Sequence, residues 1–272
     1  MKTIQTYANE WEKNAQKDAF WAILTDLTKL GGKWDKEEFF KTGKEEIQTL
    51  LHYMQGHSEL QIVQFDKCVD FGCGLGRLSK GLSHHFKQVI GIDISQYMII
   101  EAKKYNPGIE FICNQEENLR VLSGSSIDFV YSNIVLQHMH PYFQKMYIRE
   151  FARILKPNGW AVFQVPVERN MRTFKDFVKK WLGAMLPRFL KKCLINKLLK
   201  GDSDFEIEMN CCKEKEIVKV AAENGLVVKQ IVWSNATHPD FNGKLRFFDR
   251  KQPCVKAKLG PFISNTYFAK KL

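Results

Sequence analysis

Residues 69–77, VDFGCGLGR, place three glycines in five positions directly after a short apolar run. A strand ending at Asp70 and a helix starting near Gly76 leave FGCGLG as the turn between them. Glycine in such a turn permits positive φ and lets a ligand approach the backbone, while free amides at the helix start suit a negative group. The GxGxG spacing alone is weakly specific. The dinucleotide fingerprint asks for a third glycine one position later, where this chain has Arg77, and it gives no role to an acid at Asp70.

The next strand, QVIGIDIS, ends with Asp93, about the distance downstream at which an acid accepts hydrogen bonds from a ribose. The pair suggests an adenosine-containing ligand. Asp70 then separates ligands by charge: it repels a pyrophosphate and attracts an ammonium or sulfonium. This favours S-adenosylmethionine over NAD.

Outward from this turn, short apolar strands alternate with helical segments: KCVDFG, RLSKGLSHHF, QVIGIDI, SQYMIIEAKKY, IEFICN, IDFVYSN, QKMYIREFARIL and GWAVFQVP. Such alternation predicts crossover units and a parallel sheet. The Lys156-Pro157-Asn158-Gly159 turn separates a helix ending near Leu155 from a strand beginning at Trp160. After Pro166 the alternation breaks, and it resumes with KEKEIVKVAAENG, LVVKQIVW and SNTYFAKK. A second long connection runs from Asn235 to Ile263. Both stretches leave from carboxyl ends of strands, where open α/β sheets bind ligands, and both are candidate lids. The first 58 residues read as helical and aromatic; in KTGKEEIQTLLHYMQ, Thr42 and Glu45 stand at capping-box spacing ahead of Ile47, Leu50, Leu51 and Met54.

Five stretches in this order, VDFGCGLGR, GIDIS, FICNQEENL, IDFVYSNIVLQHM and EFARILKPNGWAVF, resemble the class I S-adenosylmethionine-dependent methyltransferases of small-molecule type, over roughly residues 38 to 166. The resemblance implies an α/β, Rossmann-like fold: a seven-stranded, mostly parallel sheet with its last strand antiparallel and helices on both faces. Around it we expect a helical N-terminal cap (1–58) and a methyltransferase core (59–272) carrying lid insertions at 167–212 and 235–263. The resemblance further implies that Asp70, Gly72 and Gly74 face the methionine part of the cofactor, with Asp70 linked to its amino group. Asp93 would hold the ribose hydroxyls, Ile94 would lie against adenine, and Asn133 would sit near the methyl donor. Where the family often has an Asp that touches the adenine amino group, this chain offers Gln115, with Glu116 and Glu117 beside it.

Methyl transfer from a sulfonium is an in-line displacement, so the enzyme mainly aligns the nucleophile and keeps water out; no metal is required. The product is S-adenosylhomocysteine. A hydroxyl acceptor needs its proton removed, and His138, after the fourth strand in LQHMHP, is the candidate base, although a matching histidine in relatives with unrelated acceptors favours a structural role. His140 and His238 are weaker candidates, and His84 and His85, near the far end of the first helix, read as ordinary surface or packing residues.

The chain has 272 residues, 44% of them hydrophobic, enough for one main domain. No apolar stretch of secretory type opens it and no run is long enough to span a bilayer, so we expect a soluble, cytoplasmic protein. Seven cysteines without CxxC or zinc spacing read as reduced thiols. With 41 Lys and Arg against 30 Asp and Glu, the net charge of +11 favours anionic partners. Residues 174–200 combine eight basic residues with one acid and read as a helical lid over a small-molecule site, or as a surface for peripheral membrane contact. The basic loop NGKLRFFDRKQPCVKAK adds Lys244, Arg246, Arg250 and Lys251. The functional expectation is methyl transfer to a hydroxyl or amine of a small, anionic-leaning acceptor. Two rivals stand beside it: a tRNA or RNA methyltransferase, disfavoured because the fourth strand ends in SNIV rather than an NPPY-type sequence, and a non-catalytic cofactor-binding partner protein.

Overall fold

The computed structural model describes residues 1–63, 66–170, 207–238, 241–251 and 259–272. Its strands are β1 (Lys67–Phe71), β2 (Gln88–Asp93), β3 (Glu110–Cys113), β4 (Ile127–Ser132), β5 (Leu155–Arg169), β6 (Leu226–Ser234), β7 (Phe247–Phe248) and β8 (Phe262–Lys271). The helices are α1 (Ile4–Ile23), α2 (Lys36–Gln55), α3 (Arg77–Leu82), α4 (Gln96–Tyr105), α5 (Pro141–Ile154) and α6 (Glu214–Glu223).

One mixed sheet runs in the order β3-β2-β1-β4-β5-β8-β6-β7. β1 to β5 are parallel, and β8 inserts antiparallel between β5 and β6. All six residues of β4 are buried, as a strand covered by helices on both faces requires. Alternation by two then sorts the core into layers. Cys68, Phe129, Tyr131, Trp160, Val162 and Phe268 turn toward α2 and α3. Val69, Val130, Ala161, Phe163 and Tyr267 turn toward α5 and α6.

The architecture matches the expected Rossmann-like sheet with an antiparallel last strand, and it corrects four details. The described residues form eight strands, because Phe247–Phe248, inside the 235–263 connection, pairs antiparallel with Trp233 and Ser234 at the edge. The Lys156-Pro157-Asn158-Gly159 turn is absorbed into β5: Leu155 already pairs with Ile127, the register shifts, and Asn158 takes the positive φ of +66°. β5 also continues past Pro166, with Glu168 and Arg169 opposite Ile263 and Phe262. α2 starts at Lys36 with Asp35 as its cap, the carboxylate accepting from the Glu38 amide at 2.8 Å. Thr42 is therefore interior to the helix, where its hydroxyl donates back to the Phe39 carbonyl.

α1 is kinked at Asp18, whose Oδ1 accepts from the Trp21 amide and whose Oδ2 accepts from the amides of Gly31 and Gly32. α2 lies against α3 at a close crossing: a methyl group on Gly43 would collide with the Arg77 carbonyl. No helix among the described residues is long and apolar enough to cross a membrane. The basic stretch 174–200 lies outside the described residues.

Candidate active site

The glycine turn forms where β1 delivers the chain to α3. Gly72, Gly74 and Gly76 have φ of +77°, +52° and +80°, a region closed to most side chains. The turn is tied to β2: the amides of Gly72 and Cys73 donate to the Ile92 carbonyl at 2.7 and 3.0 Å. Asp93 completes the clamp, accepting from the Gly74 amide at 2.8 Å and the Ser95 amide at 2.9 Å. Burial pushes the Asp93 carboxyl up, against the lowering effect of these amides.

A cavity opens at the carboxyl ends of β1, β2 and β4, where parallel sheets take ligands. Of the residues expected from sequence, Gly72, Gly74, Asp93, Ile94, Asn133 and His138 line it. Asp70 lies beneath it, fully buried. Its Oδ2 accepts from the Ser79 hydroxyl at 2.6 Å, while its Oδ1 has no partner among the described residues. Burial pushes the Asp70 carboxyl up to about 7, and the Ser79 hydrogen bond and the Arg77 charge oppose that rise.

Gln115 and Glu116 do not line the cavity; the neighbouring Asn114 does. Gln115 donates to the Ile94 carbonyl at 3.2 Å, and Glu116 is exposed, its carbonyl accepting from Tyr147 and Asn114. The expected register is off by one, and in extended chain one residue reverses the direction of the side chain.

His138 is tied on both ring nitrogens. Nδ1 is 2.7 Å from the Glu208 carbonyl and so carries the proton, leaving Nε2 to accept from the Gln137 amide at 3.1 Å. Burial lowers its pKa to about 4. Trp11 meets the ring edge-on at 5.2 Å.

The sequence reading expected an N-terminal cap but named none of its residues for the site. α1 lines the cavity with Ile4, Tyr7, Trp11, Ala22 and Ile23, whereas the described part of the 235–263 connection does not line it. Tyr7 Oη accepts from the His140 amide, and Glu12 accepts from the Ser95 hydroxyl at 2.7 Å and the Tyr97 amide at 3.1 Å. Ile4, Tyr7, Ala8 and Trp11 stand at helical spacing, a signal that was available. Glu46 was missed as well. It sits on the apolar face of α2, fully buried, accepting from Arg77, Tyr131 and Asn133.

Turn, clamp and sheet order together define a Rossmann-like fold with a ligand turn at the carboxyl edge of its parallel strands. Residues 69–163 match the family described as "Methyltransferase domain". They are a class I, S-adenosylmethionine-dependent methyltransferase domain. Over 143 residues the chain is 33% identical to an uncharacterized methyltransferase of Oceanobacillus iheyensis, a match covering 53% of this chain and 62% of that protein. It is 26% identical over 203 residues to the ubiquinone biosynthesis O-methyltransferase of Nitrosospira multiformis, covering 73% of this chain and 77% of the relative. In fold it is similar to magnesium protoporphyrin IX methyltransferase of Synechocystis, solved with S-adenosylhomocysteine bound, with a TM-score of 0.58 at 16% identity over 99% of both chains.

Proposed function

We propose that this protein transfers the methyl group of S-adenosylmethionine to a hydroxyl or amine of a small acceptor. The observation that carries this reading is the glycine turn clamped by Asp93, with the unpartnered Asp70 Oδ1 beneath it, opening into a largely apolar cavity. A buried acceptor without a donor is costly, and the ammonium of a methionine group supplies one. A methyl on Gly72 or Gly74 would run into Val135 or Ile23, so the backbone there stays bare. The residues present thus fit the cofactor.

S-adenosylmethionine supplies an activated methyl group when bound; the rest falls to the chain. Asp93 accepts from ribose hydroxyls with lone pairs left over from Gly74 and Ser95. Ile94 and Met98 offer apolar surface to the adenine, and Gly72 and Gly74 let the methionine part lie against the backbone. Tyr7, Trp11, Met139 and Tyr147 wall the cavity and exclude water, which protects the transfer from hydrolysis. His138 is a weak base with its Nε2 lone pair already facing Gln137, which supports a role in holding residues 207–210 against the loop after β4 rather than proton abstraction.

A hydroxyl acceptor is supported by the likeness to ubiquinone biosynthesis O-methyltransferases, and an anionic one by the net charge of +11. The test is incubation with methyl-labelled S-adenosylmethionine and either a panel of small phenolic, carboxylate and amine compounds or bulk tRNA. Label in a small-molecule product supports the reading. Label in tRNA, with binding that weakens steeply with salt, replaces it with the RNA reading. Cofactor binding with no labelled product in either arm leaves a non-catalytic binding protein.

A further inference from the structure

Just past the carboxyl end of β4, Ile134 is bent into the left-handed region with a φ of +53°. The other described non-glycine residues with positive φ, Ser125, Asn158 and Asn242, are types that turns use, whereas Ile134 is branched at Cβ and strained in that shape. Asn133, Ile134 and Val135 all line the cavity, and Val135 packs so closely on the glycine turn that a methyl on Gly72 would collide with it. The group that meets this bend comes from β5. The alternation that turns Trp160 and Val162 toward α2 and α3 brings Gln164 next in the same row, 1% exposed, where an amide without partners is costly. Gln164 Oε1 accepts from the Ile134 amide at 3.1 Å, and Gln164 Nε2 donates to Ser264 Oγ on β8 at 2.8 Å. Neither Gln164 nor Ser264 lines the cavity.

We propose that Gln164 is a positioning residue for the cofactor site: it holds Ile134 in the left-handed bend and so keeps Asn133, Ile134 and Val135 as one wall of the cavity against the glycine turn. The proposal rests on the cofactor reading above. A strained bend persists only where its surroundings hold it, and here the acceptor for the bent residue's amide stands on a neighbouring strand, so the bond fixes the loop to the sheet and not to itself. Ser264 sets which way the Gln164 amide faces, because it engages Nε2 and leaves the oxygen toward the loop. Asn133 is held separately, its Nδ2 donating to Glu46 at 2.7 Å, so the end of β4 is fixed from α2 and the residue after it from β5. Without the Gln164 oxygen, a buried amide loses its acceptor and Ile134 falls back to negative φ, which draws Val135 away from Gly72. Left-handed backbone is disfavoured for such a residue by about tenfold in population, and a binding-competent state depleted by that factor weakens the ligand by the same factor.

The test is calorimetric titration of the full chain with S-adenosylmethionine in a double-mutant cycle of Gln164→Leu and Ile134→Gly, each variant checked for unchanged circular dichroism. Gln164→Leu is expected to weaken binding about tenfold in the chain that keeps Ile134. Glycine takes positive φ freely, so in the Ile134→Gly background the same substitution is expected to cost about twofold or less. A role in sheet packing alone would give equal losses in both backgrounds. If Gln164→Leu does not fold, Ser264→Ala replaces it: the change lies outside the cavity, frees one end of the Gln164 amide, and is expected to weaken binding about threefold with Ile134 present and not at all in the Ile134→Gly background. A loss within about twofold for Gln164→Leu, an equal loss in both backgrounds, or unchanged affinity for Ser264→Ala where that variant decides, overturns the proposal while the unaltered protein's binding leaves the cofactor reading intact. No binding of S-adenosylmethionine to the unaltered protein overturns both.

Discussion

Asp93→Asn isolates the clamp on the glycine turn with little change in shape. The carboxylate accepts two amides, Gly74 at 2.8 Å and Ser95 at 2.9 Å. An asparagine keeps one acceptor and turns an NH2 toward the other amide, so one charge-assisted bond is lost, about 1.5–3 kcal/mol. Burial already penalises the ionised carboxyl, which offsets part of that loss and leaves an expected destabilisation of the free protein of about 1–2 kcal/mol. The effect on cofactor is larger, since a ribose hydroxyl also loses its anionic acceptor. A further loss of about 1.5–3 kcal/mol weakens S-adenosylmethionine roughly 10- to 100-fold. Urea unfolding without ligand gives the first number and calorimetric titration the second. An affinity within about twofold of the unaltered protein would refute the ribose assignment, and unchanged stability would refute the clamp.

Asp70 makes the free protein less stable as pH rises. Its folded pKa of about 7 exceeds the ordinary 3.8, so the stability it contributes is fully present below about 3.8 and is lost as pH rises through about 7. Asp70→Asn should flatten that part of the melting-temperature profile. His138 acts in the opposite direction: lowered from 6.5 to about 4, it costs stability as pH falls through that window, and His138→Gln should relieve the loss in an acid titration followed by circular dichroism. Methyl transfer by His138→Gln should retain the pH profile of the unaltered protein; loss of a limb near neutrality would restore His138 as the base. Glu12→Gln removes a carboxylate that accepts from both Ser95 and Tyr97, and about 1–2 kcal/mol of local stability should go with it. Hydrogen exchange in α1 should rise first, and unchanged α1 protection would show that this contact does not hold the roof.

The glycine turn and the alternation of strands and helices were legible because they are local, whereas the order of strands in the sheet followed from the family resemblance, and the hold of Asp93 on the Gly74 amide is a contact between elements that spacing does not show. The capping of α2 was legible too, in Asp35 and Glu38, but Thr42 and Glu45 carried the same spacing and only helix length separates the two. Asn114 against Gln115 turns on a single step at the end of β3, which spacing does not resolve. The roof was harder. α1 has an apolar face in sequence, yet which surface that face covers depends on Glu12 meeting Ser95 across 83 residues of chain. Glu46 illustrates the same limit: an acid among Phe39, Gly43, Ile47, Leu50 and Met54 announces burial, but its partners Arg77, Tyr131 and Asn133 come from other elements.

The most direct measurement is calorimetric titration of the purified protein with S-adenosylmethionine, S-adenosylhomocysteine and NAD in parallel. A saturable one-to-one isotherm with S-adenosylmethionine and none with NAD is the predicted result. Binding of NAD alone would contradict it, and with it the reading of Asp70 and Asp93 on which the proposed chemistry stands.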